Sequence, residues 1–171
     1  MVRSDPATVA PEHRAEALKE RVYVTFTSLA VVLAMQSHST DELSAGEAAS
    51  TLSITVIGTL LAVFVADVVS HLAVHATVPT AAEIRRMAAV SFGAFATVVL
   101  PLIFIGFAAL DAWSVDAALR ASTIALTVSL IAIGFLAVRR VKLAWWQRLI
   151  VLGAEFAVGA AVVGLELLAH G

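Results

Sequence analysis

The sequence contains no cysteine among its 171 residues. That absence excludes disulfides, thiol catalysis and cysteine-ligated metal sites. Charged residues are also scarce, at 14% of the chain, whereas soluble domains carry about 25%. So few charges cannot keep the surface of a soluble protein hydrated. The formal net charge is −2, so no basic surface is available to release counterions from nucleic acid, and we expect no nucleic-acid partner.

Enzymatic signatures are missing as well. The chain has no G-x-S-x-G, H-E-x-x-H, phosphate-binding loop or dinucleotide fingerprint. The longest expected loop has about a dozen residues, which is the ordinary length of a connection and too short for an extra catalytic domain. We therefore expect neither an enzyme nor a bound cofactor.

Hydrophobic residues, by contrast, make up 60% of the chain, and the mean hydropathy is +0.95. They fall into long blocks, and an apolar helix of about 20 residues crosses the roughly 30 Å hydrocarbon core of a bilayer. The pattern predicts an all-α, polytopic transmembrane helical bundle, with residues 1–20 as a cytoplasmic tail and helix prelude and 21–171 as the membrane domain. Five spans are expected, at about 22–37, 49–75, 87–110, 117–138 and 146–169. Because the first is short, a four-span alternative places it at the membrane interface.

Local signals mark the helix boundaries. Ser44 to Glu47 and Thr80 to Glu83 both have the pattern of a capping box, in which each side chain binds the other residue's backbone N–H. Ser114 can cap the fourth span. Pro101 lies within the third span and should interrupt its hydrogen-bond ladder.

The distribution of Lys and Arg predicts the orientation, because these residues resist translocation across the membrane. With the N-terminus inside, Arg120 is the one basic residue outside. The residues on the cytoplasmic side are then Arg3, Arg14, Lys19, Arg21, Arg85, Arg86, Arg139, Arg140, Lys142 and Arg148. Five spans place the C-terminus outside.

Polar residues inside the apolar blocks are the candidate functional residues. Asp67, His71 and His75 recur at i, i+4 and i+8, so they form one stripe near the cytoplasmic end of the second span. In the first span, Arg21 shares a polar face with Thr25, Ser28 and Gln36, a face that should turn into the bundle. We expect Arg21 and Asp67 to meet at the interface of these two helices.

Glu155 lies near mid-membrane in the fifth span, where insertion of a charge costs about 2.5–3.5 kcal/mol. Three interpretations stay open. The polar residues form a structural ion pair, Arg21 with Asp67, or a proton or cation pathway through Arg21, Asp67, His71 and Glu155. The third interpretation is a metal site formed by Asp67 and His71, with His75 or Glu155 as a further ligand.

The fifth span also carries a face of small residues, which would allow another helix to approach closely. Its members are Gly153, Ala157, Ala160 and Gly164.

Four segments resemble small integral membrane proteins of high-GC actinobacteria that have no assigned activity. They are Glu20 to Tyr23, Ala66 to His75, Ala82 to Arg86 and Trp113 to Ala118. The resemblance implies residence in a bacterial plasma membrane and does not imply an activity.

Two functions fit these observations. The first is a structural or partner-binding bundle whose main partner is the lipid bilayer. The alternative is a proton or cation carrier or channel. Since five spans cannot form two equal inverted halves, a carrier would work as a homo-oligomer.

Overall fold

The computed structural model describes residues 6–37, 43–139, 145–147, 149–150, 153 and 157. These ranges are helical apart from short connections, and they contain no strand. The helices are α1 (Pro6–Ser37), α2 (Ala45–His75), α3 (Ala81–Gly93), α4 (Val99–Ala109) and α5 (Val115–Arg139). A 3₁₀ segment, Ala94–Val98, joins α3 to α4. The all-α prediction is therefore confirmed.

Side-chain caps start three of these helices. The Ser44 hydroxyl accepts the N–H of Glu47 at 3.2 Å, and the Glu47 carboxylate accepts the N–H of Ser44 at 2.9 Å. Thr80 and Glu83 make the same exchange before α3, at 3.4 and 2.7 Å. The Ser114 hydroxyl accepts a backbone N–H of the first turn of α5 at 3.2 Å. These predicted boundaries are confirmed, because each cap satisfies N–H groups that have no partner within the helix.

Pro101 accounts for the break between α3 and α4. A proline has no N–H to donate, and its ring crowds the carbonyl four residues earlier. That carbonyl belongs to Thr97, inside the 3₁₀ segment that separates the two helices. The predicted interruption is confirmed, and it takes the form of a tightened 3₁₀ turn.

Helix α1 lies at the centre of the described bundle, where it contacts α2, α3, the 3₁₀ segment and α5. Helix α2 also packs on α3 and α4, and α4 packs on α5. The apolar core is built from the facing sides of these helices. Its members include Val24, Val32, Leu52, Val56, Leu60, Val98, Ile105, Leu119 and Leu126.

Three stretches within the described residues are long and apolar enough to cross a membrane: Ala45–His75, Ala81–Ala109 and Val115–Ala137. Their outer faces carry large apolar side chains that no other part of the described chain covers, such as Ile54, 70% exposed, and Val128, 59% exposed. An apolar exterior of this kind is suited to lipid. The structure thus supports a membrane protein with three candidate spans.

The first and fifth expected spans are not among these three candidates. The first lies in α1, which is not among the three candidates. Its apolar stretch is short, and a helix surrounded by protein does not need a surface that suits lipid. The fifth span lies mostly outside the described residues.

Candidate functional site

A buried acidic residue marks the most unusual position of the bundle. Glu20 of α1 is only 2% exposed. It precedes the buried residues Val24 and Ser28 by one and two helical turns, so it lies on the face of α1 that packs against other helices. Glutamate is almost never fully buried unless it has a partner.

Two other helices bring polar side chains to Glu20. Asp67 of α2 is half-buried, and its side chain is hydrogen-bonded to the Glu20 carboxyl. Ser91 of α3 is fully buried and acts on the same carboxyl. We call Glu20, Asp67 and Ser91 the acidic cluster. It joins α1, α2 and α3 at one end of the bundle.

The electrostatics of the acidic cluster favour a bound proton. Burial first, and then the neighbouring Asp67 carboxyl, raise the pKa of Glu20 to about 7. Ser91 and Lys19 act in the opposite direction. Two carboxyl groups in contact can share one proton as a donor and an acceptor, whereas two carboxylates repel each other.

Two oxygens of the acidic cluster lack a hydrogen-bond partner. Among the described residues, Ser91 Oγ and Glu20 Oε2 are buried without one. Ser91 nevertheless lies close enough to Glu20 to lower the pKa of its carboxyl. A buried polar atom left unpaired costs about 1–3 kcal/mol. The cluster therefore has unused capacity to bind a small polar species.

The expected pair of Arg21 and Asp67 is not formed in the described structure. Arg21 is exposed, and Asp67 faces the neighbouring residue Glu20 instead. One residue along a helix is a rotation of about 100°, which is enough to move a side chain from the core to the surface. The rest of the polar face does turn inward: Thr25 and Ser28 are fully buried.

Of the stripe formed by Asp67, His71 and His75, only Asp67 belongs to the acidic cluster. The rings of His71 and His75 lie 4.6 Å apart between centroids, and His71 acts on Glu83 at the start of α3. Within the described residues, no group of three His, Asp or Glu side chains is arranged to hold a metal ion. The expected metal site of Asp67, His71 and His75 therefore has no support in this geometry.

The remaining predicted residues lie in the last expected span. Glu155, Ala160 and Gly164 are outside the described residues. Ala157 is exposed, and a Cβ added to Gly153 would meet nothing within 4 Å. At these two positions the expected close helix contact is not seen.

Comparisons with family models, with curated proteins and with solved structures found no match for this chain. The geometry of the acidic cluster therefore carries the functional argument.

The opposite end of the bundle has a separate polar contact. Gln36 of α1 donates a hydrogen bond to the Leu119 carbonyl of α5 at 3.2 Å and another to the Thr123 hydroxyl. On the surface nearby, Arg120 Nε lies 2.9 Å from a carboxylate oxygen of Asp116, one helical turn earlier in α5. The Gln36 contact ties α1 to α5 because an amide has no other partner in an apolar interface.

Sequence reasoning missed Glu20 and Ser91. Glu20 was assigned to the solvated prelude because it precedes the first apolar stretch. Its spacing of four and eight residues from Val24 and Ser28 could have placed it on the inner face. Ser91 is a lone hydroxyl in an apolar block, and no periodic signal singles it out.

Proposed function

We propose that this chain is a small integral membrane protein that carries protons or small cations through its acidic cluster. The observation that supports the proposal is the burial of Glu20 against Asp67 and Ser91, with two of the cluster's oxygens unpaired. Glu20 lies at the cytoplasmic edge of the proposed bundle, and a buried ionisable group there can form the entrance of an ion or proton pathway. A proton carrier needs a group that gains and loses a proton near neutral pH, as Glu20 can.

The proposed topology has five spans, a cytoplasmic N-terminus and an external C-terminus in a bacterial plasma membrane. The antiparallel packing supports it, because α1, α2 and α3 meet at the acidic cluster and thereby place Lys19, Arg21, Arg85 and Arg86 near one end of the bundle. Arg120 lies at the opposite end, where Gln36 meets α5. A homo-oligomer would supply the symmetry that an odd number of spans lacks.

A second proposal is a structural or partner-binding bundle without transport or enzymatic activity. The same contact favours it, since a hydrogen bond between Glu20 and Asp67 can hold two helices in register. In that case the proton would be a permanent part of the contact. The two proposals differ in whether the acidic cluster exchanges its proton with water.

Flux measurements test the transport proposal. Purified protein in liposomes is exposed to a proton, sodium, potassium or divalent-cation gradient. We expect flux of protons or of a monovalent cation above that of empty vesicles, and its loss in Glu20→Gln and Asp67→Asn. Asp116→Asn removes a carboxylate at the other end and serves as the matched control. Wild-type flux equal to that of empty vesicles under every gradient leaves the structural proposal.

Reporter fusions test the topology. A reporter fused after Arg140 should be cytoplasmic, and a reporter fused after Gly171 should be external. A cytoplasmic C-terminus would refute the five-span arrangement.

A further inference from the structure

We propose that Glu20, Asp67 and Ser91 form one binding site for which a proton and a sodium-sized monovalent cation compete, one for one. This inference rests on the proposed transport function and names the ligand of the same site. When the cation binds, the proton shared by the two carboxyl groups leaves to water. When the proton returns, the cation is released.

The unpaired oxygens provide the geometric basis. Glu20 Oε2 and Ser91 Oγ belong to different helices, and both are buried without a hydrogen-bond partner among the described residues. Ser91 is fully buried and lies close enough to the Glu20 carboxyl to lower its pKa. A cation between them would accept electron density from both oxygens and would relieve their lost hydration. Ser91 is neutral, so it is an observation independent of the acidic pair.

Charge balance favours a single positive charge as the ligand. Fully ionised, Glu20 and Asp67 carry two negative charges, and the exposed Lys19 beside them offsets these charges only in part. One proton or one monovalent cation removes most of the repulsion between the two carboxyl groups. A cluster whose net charge stays small with either ligand costs least to keep inside an apolar bundle.

The ligand set also argues against a divalent ion. Calcium takes six to eight oxygen ligands, and magnesium demands near-ideal octahedral geometry and keeps several waters. The acidic cluster offers two carboxyl groups and one hydroxyl. In the described part of the chain, no third carboxylate or histidine joins them. Two carboxyl groups and one hydroxyl suit a weakly bound monovalent ion that keeps some of its water ligands.

The groups facing Glu20 can be named for each neighbouring helix. Lys19 acts from α1 and Asp67 from α2, while Ser91 is the polar group from α3. The 3₁₀ segment carries no charged side chain. The described charged side chains of α5, Asp116 and Arg120, lie at the other end. Among the described residues, Asp67, Ser91 and Lys19 are thus the groups that act on Glu20.

The test is cation-driven proton release from the purified protein in detergent, in weakly buffered solution. Sodium chloride is added at pH values between about 6 and 8, with choline chloride at equal ionic strength as the reference. We expect protons to be released on sodium addition, most strongly near neutral pH, and no release with choline. Lithium and potassium chloride then measure the size preference.

Substitutions test whether the released protons come from the acidic cluster. Glu20→Gln should abolish it, and Asp116→Asn should leave it unchanged. Ser91→Ala removes one ligand and keeps both carboxyl groups. It should weaken the apparent sodium affinity roughly tenfold, as expected for one lost bond to a charged group. Without sodium, the proton titration should move to higher pH, because Ser91 no longer lowers the pKa of Glu20. Ser91→Ala also serves where Glu20→Gln does not fold.

Three results would overturn the inference. They are equal release with choline and sodium, undiminished release in Glu20→Gln, and titration of Glu20 without any sodium effect, which would indicate a bridging water only. Failure of the transport proposal is distinguishable: proton release in detergent would persist while liposomes show no flux.

Discussion

Glu20 and Asp67 bring two carboxyl groups into hydrogen-bond contact across the interface of α1 and α2. The contact occurs where Glu20 is almost fully buried. Below about pH 7 a proton stays with Glu20 and prevents repulsion between two ions in a poorly hydrated place. The same contact packs two helices and binds a proton, so the stability of the fold should depend on pH.

The first prediction concerns stability against pH. The pKa of Glu20 is raised from 4.5 to about 7 in the folded protein. Between these values the folded chain holds a proton that the unfolded chain has released. The stabilisation is therefore fully present below about pH 4.5 and is lost as the pH rises through about 7. Thermal unfolding in detergent should show a falling Tm across this window.

Glu20→Gln provides the comparison for this pH dependence. The amide cannot ionise, so the difference in Tm between wild type and Glu20→Gln isolates the contribution of this carboxyl. Asp116→Asn should retain the wild-type slope. A Glu20→Gln protein whose Tm falls with pH as steeply as that of wild type would contradict the assignment.

The second prediction is energetic coupling between Glu20 and Asp67. At pH 8, neutralising either residue relieves the repulsion, so Glu20→Gln and Asp67→Asn should each stabilise the fold, and the double variant should gain little more. The coupling energy in a double-mutant cycle should be about 0.5–3 kcal/mol, the range for residues in contact. At pH 5 it should shrink, because the pair then holds its proton. Additive effects at both pH values would mean that the carboxyl groups do not meet.

The third prediction is that Arg21, unlike its neighbour Glu20, is not energetically coupled to Asp67. Arg21 is exposed, and surface substitutions usually change stability by no more than about 0.5 kcal/mol. Arg21→Gln should therefore have a small effect that adds to that of Asp67→Asn. Strong coupling between the two would restore the ion pair that the sequence suggested.

The fourth prediction concerns the link between α1 and α5. Gln36→Leu keeps the side-chain volume and removes the hydrogen bonds to Leu119 and Thr123. Hydrogen bonds between membrane helices contribute on average about 0.6 kcal/mol, with a maximum near 1.7, so a loss of this size is expected in denaturant unfolding. Thr127→Val is the matched control, because that hydroxyl bonds within its own helix. Equal effects of both variants would contradict a specific link.

The fifth prediction addresses the face of small residues. A Cβ at Gly153 meets nothing within 4 Å. Gly153→Ala should stabilise the helix by up to about 1 kcal/mol, the difference in helix propensity. If Gly153 instead supports close approach of another helix or a second copy, the same substitution should destabilise the protein or shift its oligomeric state, which light scattering in detergent would detect.

The sequence by itself determined the helical class, the membrane character and most helix boundaries. Those properties depend on composition and on short-range chemistry. The capping boxes at Ser44 and Thr80 need residues only three positions apart, and Pro101 acts on a carbonyl four residues earlier. No tertiary contact is required for any of them, so a linear pattern predicts them.

Only the tertiary structure decided that Asp67 meets Glu20 and not Arg21. Arg21 and Glu20 are adjacent in sequence, and both lie at the edge of the same polar face. The rotation of α1 about its axis, set by its packing on α2, α3 and α5, buries Glu20 and exposes Arg21. Ser91 comes from a third helix. Contacts among three helices depend on how all of their faces fit together. The periodicity of one helix carries no information about that fit.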